Sequence, residues 1–278
     1  MQLKQRLTAL GLPNFILLLF LVMISACSGS SDTANNLEEG EDEATSAPVI
    51  ENNTLTEAEK AEGWKLLFDG KTTNGWKGYL KDTVGTSWRI EEEALYLHSD
   101  RQEDWAWKPD DGGYVMTVDE YENFDLRLQW KISDCGNSGI IYHAIESEKY
   151  DEPWKTGLEM QVLDNKCHPD SKIIKHRAGD LYDLITADPV TVRPAGEWND
   201  VRIVSNGNMI QHWLNGEKVV EVERYSEAWK EVLGKSKFAN PEHVDYSPDY
   251  GIAAKGHIVL QDHDDSKVWY RNIKIKEL

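Results

Sequence analysis

The chain is short of positive charge, of cysteine and of repeated units, and each shortage removes a class of protein. Its 278 residues hold 30 Lys and Arg against 49 Asp and Glu, a formal net charge of -19. No basic cluster offsets that acidity, so nucleic acid and anionic lipid headgroups are not expected partners, and most of the charge reads as a solvated surface. There are 3 cysteines, and the His and Asp residues of His168-Pro169-Asp170 and of the segment Gln261-Asp262-His263-Asp264-Asp265 match no recognised zinc spacing. No internal repeat at a fixed period is present, which sets aside an array of repeated units.

Sustained apolar sequence is confined to residues 15–24, which follow Lys4 and Arg6 and lead into Ile24-Ser25-Ala26-Cys27. Residues 1–26 read as a secretory signal, too short to count as a spanning helix once cleaved. Ile-Ser-Ala-Cys resembles the lipobox of bacterial lipoproteins, in which the cysteine is lipidated and becomes the first mature residue. The resemblance implies lipidation of Cys27 and membrane attachment through that lipid alone. With Ser28 after the cysteine, it also implies a cell-envelope location at the outer membrane, on the periplasmic or the surface face. Residues 27–60 carry few apolar side chains and a run of acids, among them Asp32, Glu38, Glu39, Glu41, Asp42, Glu43 and Glu51. Such a segment buries too little to offset its ordering entropy and is expected to be a flexible tether.

Residues 61–278, about 220 in all, suit one all-β sandwich or barrel of the larger kind. Thr56 and Glu59 make a capping-box pattern, so a short helix is expected before the first strand. Residues 88–97 read as a hairpin turning near Glu92 and Glu93, without the preferred Asn-Gly signal. The clearest strand is Phe124–Ile132: Phe124, Leu126, Leu128, Trp130 and Ile132 share one face, and Asp125, Arg127, Gln129 and Lys131 the other. Asn206-Gly207 and Asn215-Gly216 mark two hairpin turns in a meander from residue 199 to 222. A short helix is expected over 225–233 with Gly234 as its stop, and strands over 257–263 and 268–275. Residues 176–185 read as partly irregular because of Gly179. Eleven Trp and 11 Tyr fill cores and also stack on sugar faces, so they raise carbohydrate as a ligand.

Residues 137–168 concentrate the candidate chemistry, as two strands over 139–143 and 158–163 joined by a polar loop. Alternation puts Glu159 and Gln161 on one face, roughly 7 Å apart, and Met160 and Val162 on the other. By the same parity His143 opposes Tyr142 and is expected near the mouth of the site. In 257–263, Ile258 and Leu260 face one way, and His257, Val259, Gln261 and His263 the other.

The blocks WKLLFDGKTTNGW, GNSGIIYH, TGLEMQVLDN, HRAGDLYDL, RPAGEWNDVRI, HWLNGEKVVE and GHIVLQDH, closed by WYRNIKIKEL, resemble in content and order those of the 3-keto-disaccharide hydrolase domain family. The resemblance covers residues 62–278. It implies a concanavalin-like β-jelly-roll sandwich of two antiparallel sheets with one or two short helices, and a concave sugar-binding face. The chemistry it implies needs a base for the C2 proton of a 3-keto-glycoside, a donor or metal for the enolate oxygen, and an acid for the glycosidic oxygen. Glu159, His143, His168 and His263 titrate suitably, and Gln161, Asn137 and Gln261 can fix hydroxyls. Trp154 and Tyr182 either stack on sugar or pack, and His212 beside Trp213 reads as packing. A plain glycoside lacks the acidic C2 proton, so a sugar 3-oxidoreductase acting upstream is an expected partner.

Two other readings compete. Residues 159–164 also resemble the Glu-x-Asp-x-x-Glu strand of retaining jelly-roll glucanases, departing from it at Gln161 and at the shorter Asp164. Retaining chemistry needs two carboxylates about 5 Å apart. Asp164 either contacts a ligand or caps the turn at Asn165. A non-catalytic carbohydrate-binding module would use the same fold without titrating groups. Asp262, Asp264 and Asp265 are the candidate ligands for a divalent ion such as calcium. With Cys27 lipidated, Cys135 and Cys167 remain in an oxidising compartment and are expected to form a disulfide.

Overall fold

The structure, a computed structural model, describes residues 51–98, 112–263 and 266–278. The expected signal segment, Cys27 and the tether before residue 51 lie outside the described residues, as do Asp264 and Asp265. In chain order the elements are α1 (Glu57–Ala61), β1 (Lys65–Leu66), β2 (Trp76–Gly78), β3 (Trp88–Glu91), β4 (Ala94–His98), β5 (Val115–Thr117), β6 (Phe124–Ile132), β7 (Asn137–Ala144) and β8 (Leu158–Leu163). There follow β9 (Asn199–Asn206), β10 (Met209–Leu214), β11 (Glu217–Glu223), α2 (Glu227–Gly234), β12 (His257–Leu260) and β13 (Lys267–Glu277). Short 3₁₀ turns occupy Pro153–Lys155, Pro169–Lys172 and Lys237–Ala239.

Two antiparallel sheets face one another as a jelly-roll-type sandwich. The larger runs β11-β10-β9-β6-β13-β4-β3, with β1 also paired to β13, and the smaller runs β2-β5-β12-β7-β8. The core between them follows strand parity: Leu126, Leu128 and Trp130 from β6 meet Ile140 and Tyr142 from β7, Met160 and Val162 from β8, and Ile258 and Leu260 from β12. Burying such side chains stabilises each by about 1.5–3 kcal/mol relative to exposure. The alternation also fixes the register, because a one-residue slip would turn every core side chain outward.

Turn chemistry joins the strands largely where the residues indicate. Glu92 and Glu93 both take positive φ, 50° and 58°, between β3 and β4, so this tight turn forms without asparagine or glycine. Asn215 and Gly216 at φ 51° and 90° make the expected turn into β11. Thr56 caps α1 with both halves of the capping box present. In α2 the Ser226 hydroxyl caps the helix, accepting from the Trp229 amide, and Gly234 is the last helical residue, not the stop.

Three expectations need correction. The tether does not extend to residue 60: the Asn53 amide donates to Asn272 Oδ1 at 2.6 Å and its side chain donates to the Glu93 carbonyl at 2.7 Å, which fastens 51–60 to the domain. The strand expected over 257–263 leaves its ladder after Leu260. His143 is the third. The register of β7 against β12 shifts so that Ala144 pairs with His257 but Ile141 with Val259, one extra residue on β7, and His143 sits at φ 55°. This β-bulge re-aims the side chain. His143 therefore packs 5.5 Å from the Phe124 ring, on the same side as Tyr142, with no exposed surface.

Cys135 and Cys167 are joined by a disulfide, with Cα atoms 4.7 Å apart, tying the loop before β7 to the loop after β8 across 32 positions. Closing a loop of that length stabilises by about 4 kcal/mol in the chain-entropy account. Replacing both cysteines by serine is expected to lower Tm by about 8–15 °C, read by calorimetry. Thiol titration of the unfolded, unreduced protein should find neither sulfur free, and two free thiols would overturn the pairing.

Candidate functional site

Glu159 sits on β8 directly opposite Ile141 of β7, and Gln161 directly opposite Gly139. Both point away from the core that Met160 and Val162 enter, onto the outer face of the smaller sheet, where they line a cleft of about 250 Å³. The glycine is the local reason the carboxylate fits. A Cβ on residue 139 would lie 1.8 Å from Glu159 Oε1, so the carboxylate occupies the place of a missing side chain.

Backbone hydrogen bonds bring the other walls to Glu159. The Gln261 amide donates to the Gly139 carbonyl at 3.0 Å, and the Tyr182 amide donates to the Glu159 carbonyl at 3.0 Å. Gly179 N–H and Gln161 N–H bond to Gln161 O and Asp180 O respectively, so residues 179–182 run along the free edge of β8. This explains the irregular segment: Leu181 makes only isolated bridges, to Met160 and Ile185. Lys237 is anchored through its amide, which donates to Asp183 Oδ2 at 2.7 Å. Its ammonium donates to the Tyr182 hydroxyl at 3.2 Å and pairs with Asp245 at 3.0 Å.

The cleft thus has a polar floor of Glu159, Gln161, Asn137 and Gln261. It is also lined by the aromatic residues Tyr114, Trp154, Tyr182 and Phe238, together with Lys237, Asp170 and His263. Asn137 Oδ1 is buried with no hydrogen-bond partner among the described residues, an acceptor open to a donor from a ligand. Glu159 is 4% exposed. Burial pushes its carboxyl up to about 8, against a smaller downward pull from Lys237. A carboxyl held near the working pH can give or take a proton, and clefts with such groups are where chemistry is sought.

The sequence-expected residues divide into those the structure brings together and those it does not. Glu159, Gln161, Asn137, Gln261, His263, Trp154 and Tyr182 share the cleft. His168 stands behind it, its ring 5.9 Å from that of His263. Its Nδ1 accepts from the Asp170 amide at 3.2 Å. His143 is outside the cleft, its Nε2 3.0 Å from the Glu122 carbonyl oxygen, and burial, with Arg224 nearby, lowers its pKa to about 4. The bulge that turned it inward is the reason. His212 is likewise buried, bonded to the Tyr142 hydroxyl at 2.9 Å.

Asp164 takes the turn-forming role of its two readings: its carboxylate accepts from the Cys135 amide at 2.9 Å and the Lys166 amide at 3.0 Å. It lies one residue beyond the end of β8, five positions from Glu159, and is not among the residues lining the Glu159 cleft. Cys135, Asp164 and Cys167 are grouped closely enough for a metal, but the sulfurs are bonded to each other and the carboxylate is held by amides. Asp262 accepts from the Gly113 amide at 2.7 Å, and no calcium cage is assembled around it from the described residues. Sequence reasoning missed Lys237, Asp170, Tyr114 and Phe238. An aromatic beside a cation in Lys237-Phe238 was the available signal, but nothing periodic places that loop over β8.

Known proteins match this chain along most of its length. The model of the 3-keto-alpha-glucoside-1,2-lyase-like domain matches residues 63–276. A 3-keto-disaccharide hydrolase of Bacteroides thetaiotaomicron is 34% identical over 279 residues, covering 92% of this chain and 94% of the relative. A solved structure from Parabacteroides distasonis, provisionally described as a glycosyl hydrolase, is 34% identical with a TM-score of 0.69, covering 82% of this chain and 100% of that one. A second structure from the same organism, described in the same terms, is 28% identical with a TM-score of 0.53 and covers 74% of this chain and 100% of that one.

Replacing Gly139 by alanine is expected to displace the Glu159 carboxylate and reduce kcat/KM on a 3-keto-disaccharide by about tenfold or more, since small misplacements of a reacting group are costly. Circular dichroism should show the β signal retained. Unchanged turnover would mean that the glycine does not secure the carboxylate.

Proposed function

Because the chain belongs to the 3-keto-alpha-glucoside-1,2-lyase-like family, we propose that this hydrolase cleaves the glycosidic bond of a 3-keto-disaccharide or related 3-keto-glycoside by elimination and hydration, with Glu159 as the base. The observation that carries the reading is the Glu159 carboxyl itself: buried on the floor of a cleft, raised to about 8, and surrounded by amide groups and aromatic rings suited to a sugar.

The ketone at C3 acidifies the proton on C2. The Glu159 carboxylate takes that proton, the C2–H electron pair forms a C1=C2 double bond, and the C1–O bond breaks as the leaving oxygen gains a proton. Water then adds across C1=C2, hydroxyl to C1 and hydrogen to C2, so the net change is hydrolysis. A base of raised pKa is the stronger base once ionised, and an acceptor near the working pH is efficient at general base catalysis. Charge that develops on the C3 oxygen needs a donor or cation, and Lys237 supplies a cation on the cleft wall. The imidazoles of His263 and, behind it, His168 are the candidates for protonating the leaving oxygen. Asn137, Gln161 and Gln261 hold hydroxyls. An oxidation at C3 by a sugar 3-oxidoreductase must supply the substrate.

The retaining-glucanase alternative loses its second carboxylate here, because Asp164 is committed to the Cys135 and Lys166 amides. For location, we retain the envelope reading: lipid on Cys27 anchors the domain at the outer membrane.

Turnover of one disaccharide in native and 3-keto forms tests the reaction. Only the keto form should be cleaved, and Glu159→Gln should lose about 10²- to 10⁴-fold in kcat. The kcat/KM of the wild type should rise with pH to an inflection near 8, where Glu159 ionises. Linkage fixes a second sign. The folded state holds this proton up to about 8 and the unfolded state only to 4.5, so wild-type stability should fall as pH rises between those values, and the fall should be smaller in Glu159→Gln. Cleavage of the native sugar would favour the retaining reading, and binding without cleavage a carbohydrate-binding module. For the anchor, labelled palmitate should enter the wild-type protein and not Cys27→Ala, with the variant moving to the soluble fraction; an unlabelled wild type would refute lipidation.

A further inference from the structure

The polar side of the Phe124–Ile132 strand takes no part in the Glu159 cleft. Strand alternation sends Arg127 and Gln129 to the outer face of the larger sheet, on the opposite side of the sandwich. There a second cleft of about 480 Å³ is lined by Arg127, Gln129, Arg202, Trp213, Asn272 and Lys274, among others.

The centre of this surface is a built cluster and not a set of independent solvated charges. The Asp125 side chain is 4% exposed although its strand faces solvent on that side. One carboxylate oxygen accepts from Arg202 Nε at 3.0 Å and the other from Arg127 Nη2 at 3.2 Å. Each guanidinium also lies over an aromatic ring, Arg127 at 4.5 Å from the centroid of Trp64 and Arg202 at 5.4 Å from that of Trp213. Ring and carboxylate together fix the orientation of both forks before any ligand arrives.

Charge balance leaves this cluster positive. One carboxylate stands between two guanidiniums, which are permanently charged. Of the acids nearby, Asp200 accepts from Gln129 at 2.7 Å and pairs with Arg193 at 3.4 Å, Glu59 pairs with Lys274, and Glu51 lines the cleft as an exposed residue, its charge left to solvent. Among the described residues neither terminal nitrogen of Arg202 has a hydrogen-bond partner. A pre-oriented guanidinium with a free edge matches a planar anion. This is local positive charge on a chain of net charge -19.

We propose that this cleft is a second saccharide-binding site, separate from the Glu159 cleft, and that it selects a sugar carrying an anionic substituent, a carboxylate or a sulfate. The guanidiniums take the anion, while Gln129, Asn272 and Trp213 border the space left for the sugar ring. Such a site would hold an acidic glycan against one face of the domain and leave the other face open for its substrate.

Isothermal titration of the purified protein with trigalacturonate, with its methyl ester, and with a sulfated galactose tetrasaccharide tests this. Saturable binding of one of the two anionic sugars is expected, and which one binds separates carboxylate from sulfate recognition. Arg202→Gln and Arg127→Gln, each checked for folding by its melting curve, should weaken that binding by about tenfold or more and leave turnover of the 3-keto-disaccharide unchanged. Esterification should weaken trigalacturonate similarly if carboxylate is what binds. The proposal is overturned by absence of saturable binding of both anionic sugars, by saturable binding of trigalacturonate that its ester equals, by binding indifferent to both arginine variants, or by binding lost in Glu159→Gln.

Discussion

The burial of one carboxylate in the smaller sheet is the constraint on which the site depends. Glu159 lies opposite Ile141 across the ladder, and its carboxyl reaches over the next same-face position of β7, where a side chain would normally stand. Gly139 on β7 removes that side chain. Its carbonyl then accepts the Gln261 amide, and the carbonyl of Glu159 accepts that of Tyr182. The same backbone bonds that close the sheet edge therefore carry an amide side chain and an aromatic wall to the carboxylate. Low exposure raises its proton affinity, with Lys237 offsetting part of the rise.

The bulge on β7 separates the reacting surface from the core. Along most of this strand alternate residues serve alternate faces, and a histidine at position 143 would have projected onto the outer face. The extra residue sends it inward instead, against Phe124 and Tyr142. There burial keeps the ring neutral, as it does for His212 beneath Tyr142. Two of the histidines are thus core residues, whose neutral rings satisfy buried polar groups across the two sheets. The histidines close to the cleft, 168 and 263, come from chain that has left the ladders, where position is set by loop contacts.

What could be read in the residues and what could not follow from that difference. Phe124–Ile132 shows its strand and both its faces because period-two alternation is a local property, and Thr56 with Glu59 shows the start of α1 because capping spans only a few positions. Asn215-Gly216 shows a turn for the same reason. Glu159 with Gln161 was visible as a polar pair on one face. The residues that complete the site are joined to it over long separations. Lys237 reaches the cleft through a bond from its amide to Asp183, which no spacing in the sequence encodes. His143 was misplaced because a bulge adds one residue to a period of two and reverses the parity beyond it. Asp164 carried two meanings in the sequence, and the amides of Cys135 and Lys166 decided between them.

Both outer faces of the sandwich carry a nearly buried carboxylate on a strand, and their surroundings assign them opposite work. Asp125 is met by two guanidiniums, each braced on a tryptophan, so its negative charge is compensated and its contribution is to orient those arginines. Removing it would leave two mutually repelling cations with nothing to aim them. The Glu159 carboxyl receives no hydrogen bond from any described residue, and the one charge that acts on it is that of Lys237. An ionised carboxylate so placed lacks the solvation that Asp125 obtains from its partners, which makes proton uptake favourable. A carboxylate satisfied by fixed donors holds a structure in place, whereas one left short of donors is ready to take a proton from a bound molecule. The alternation of β6 and of β8 delivers each to its surface, and the groups around them, not the strand pattern, decide which becomes a scaffold and which a base.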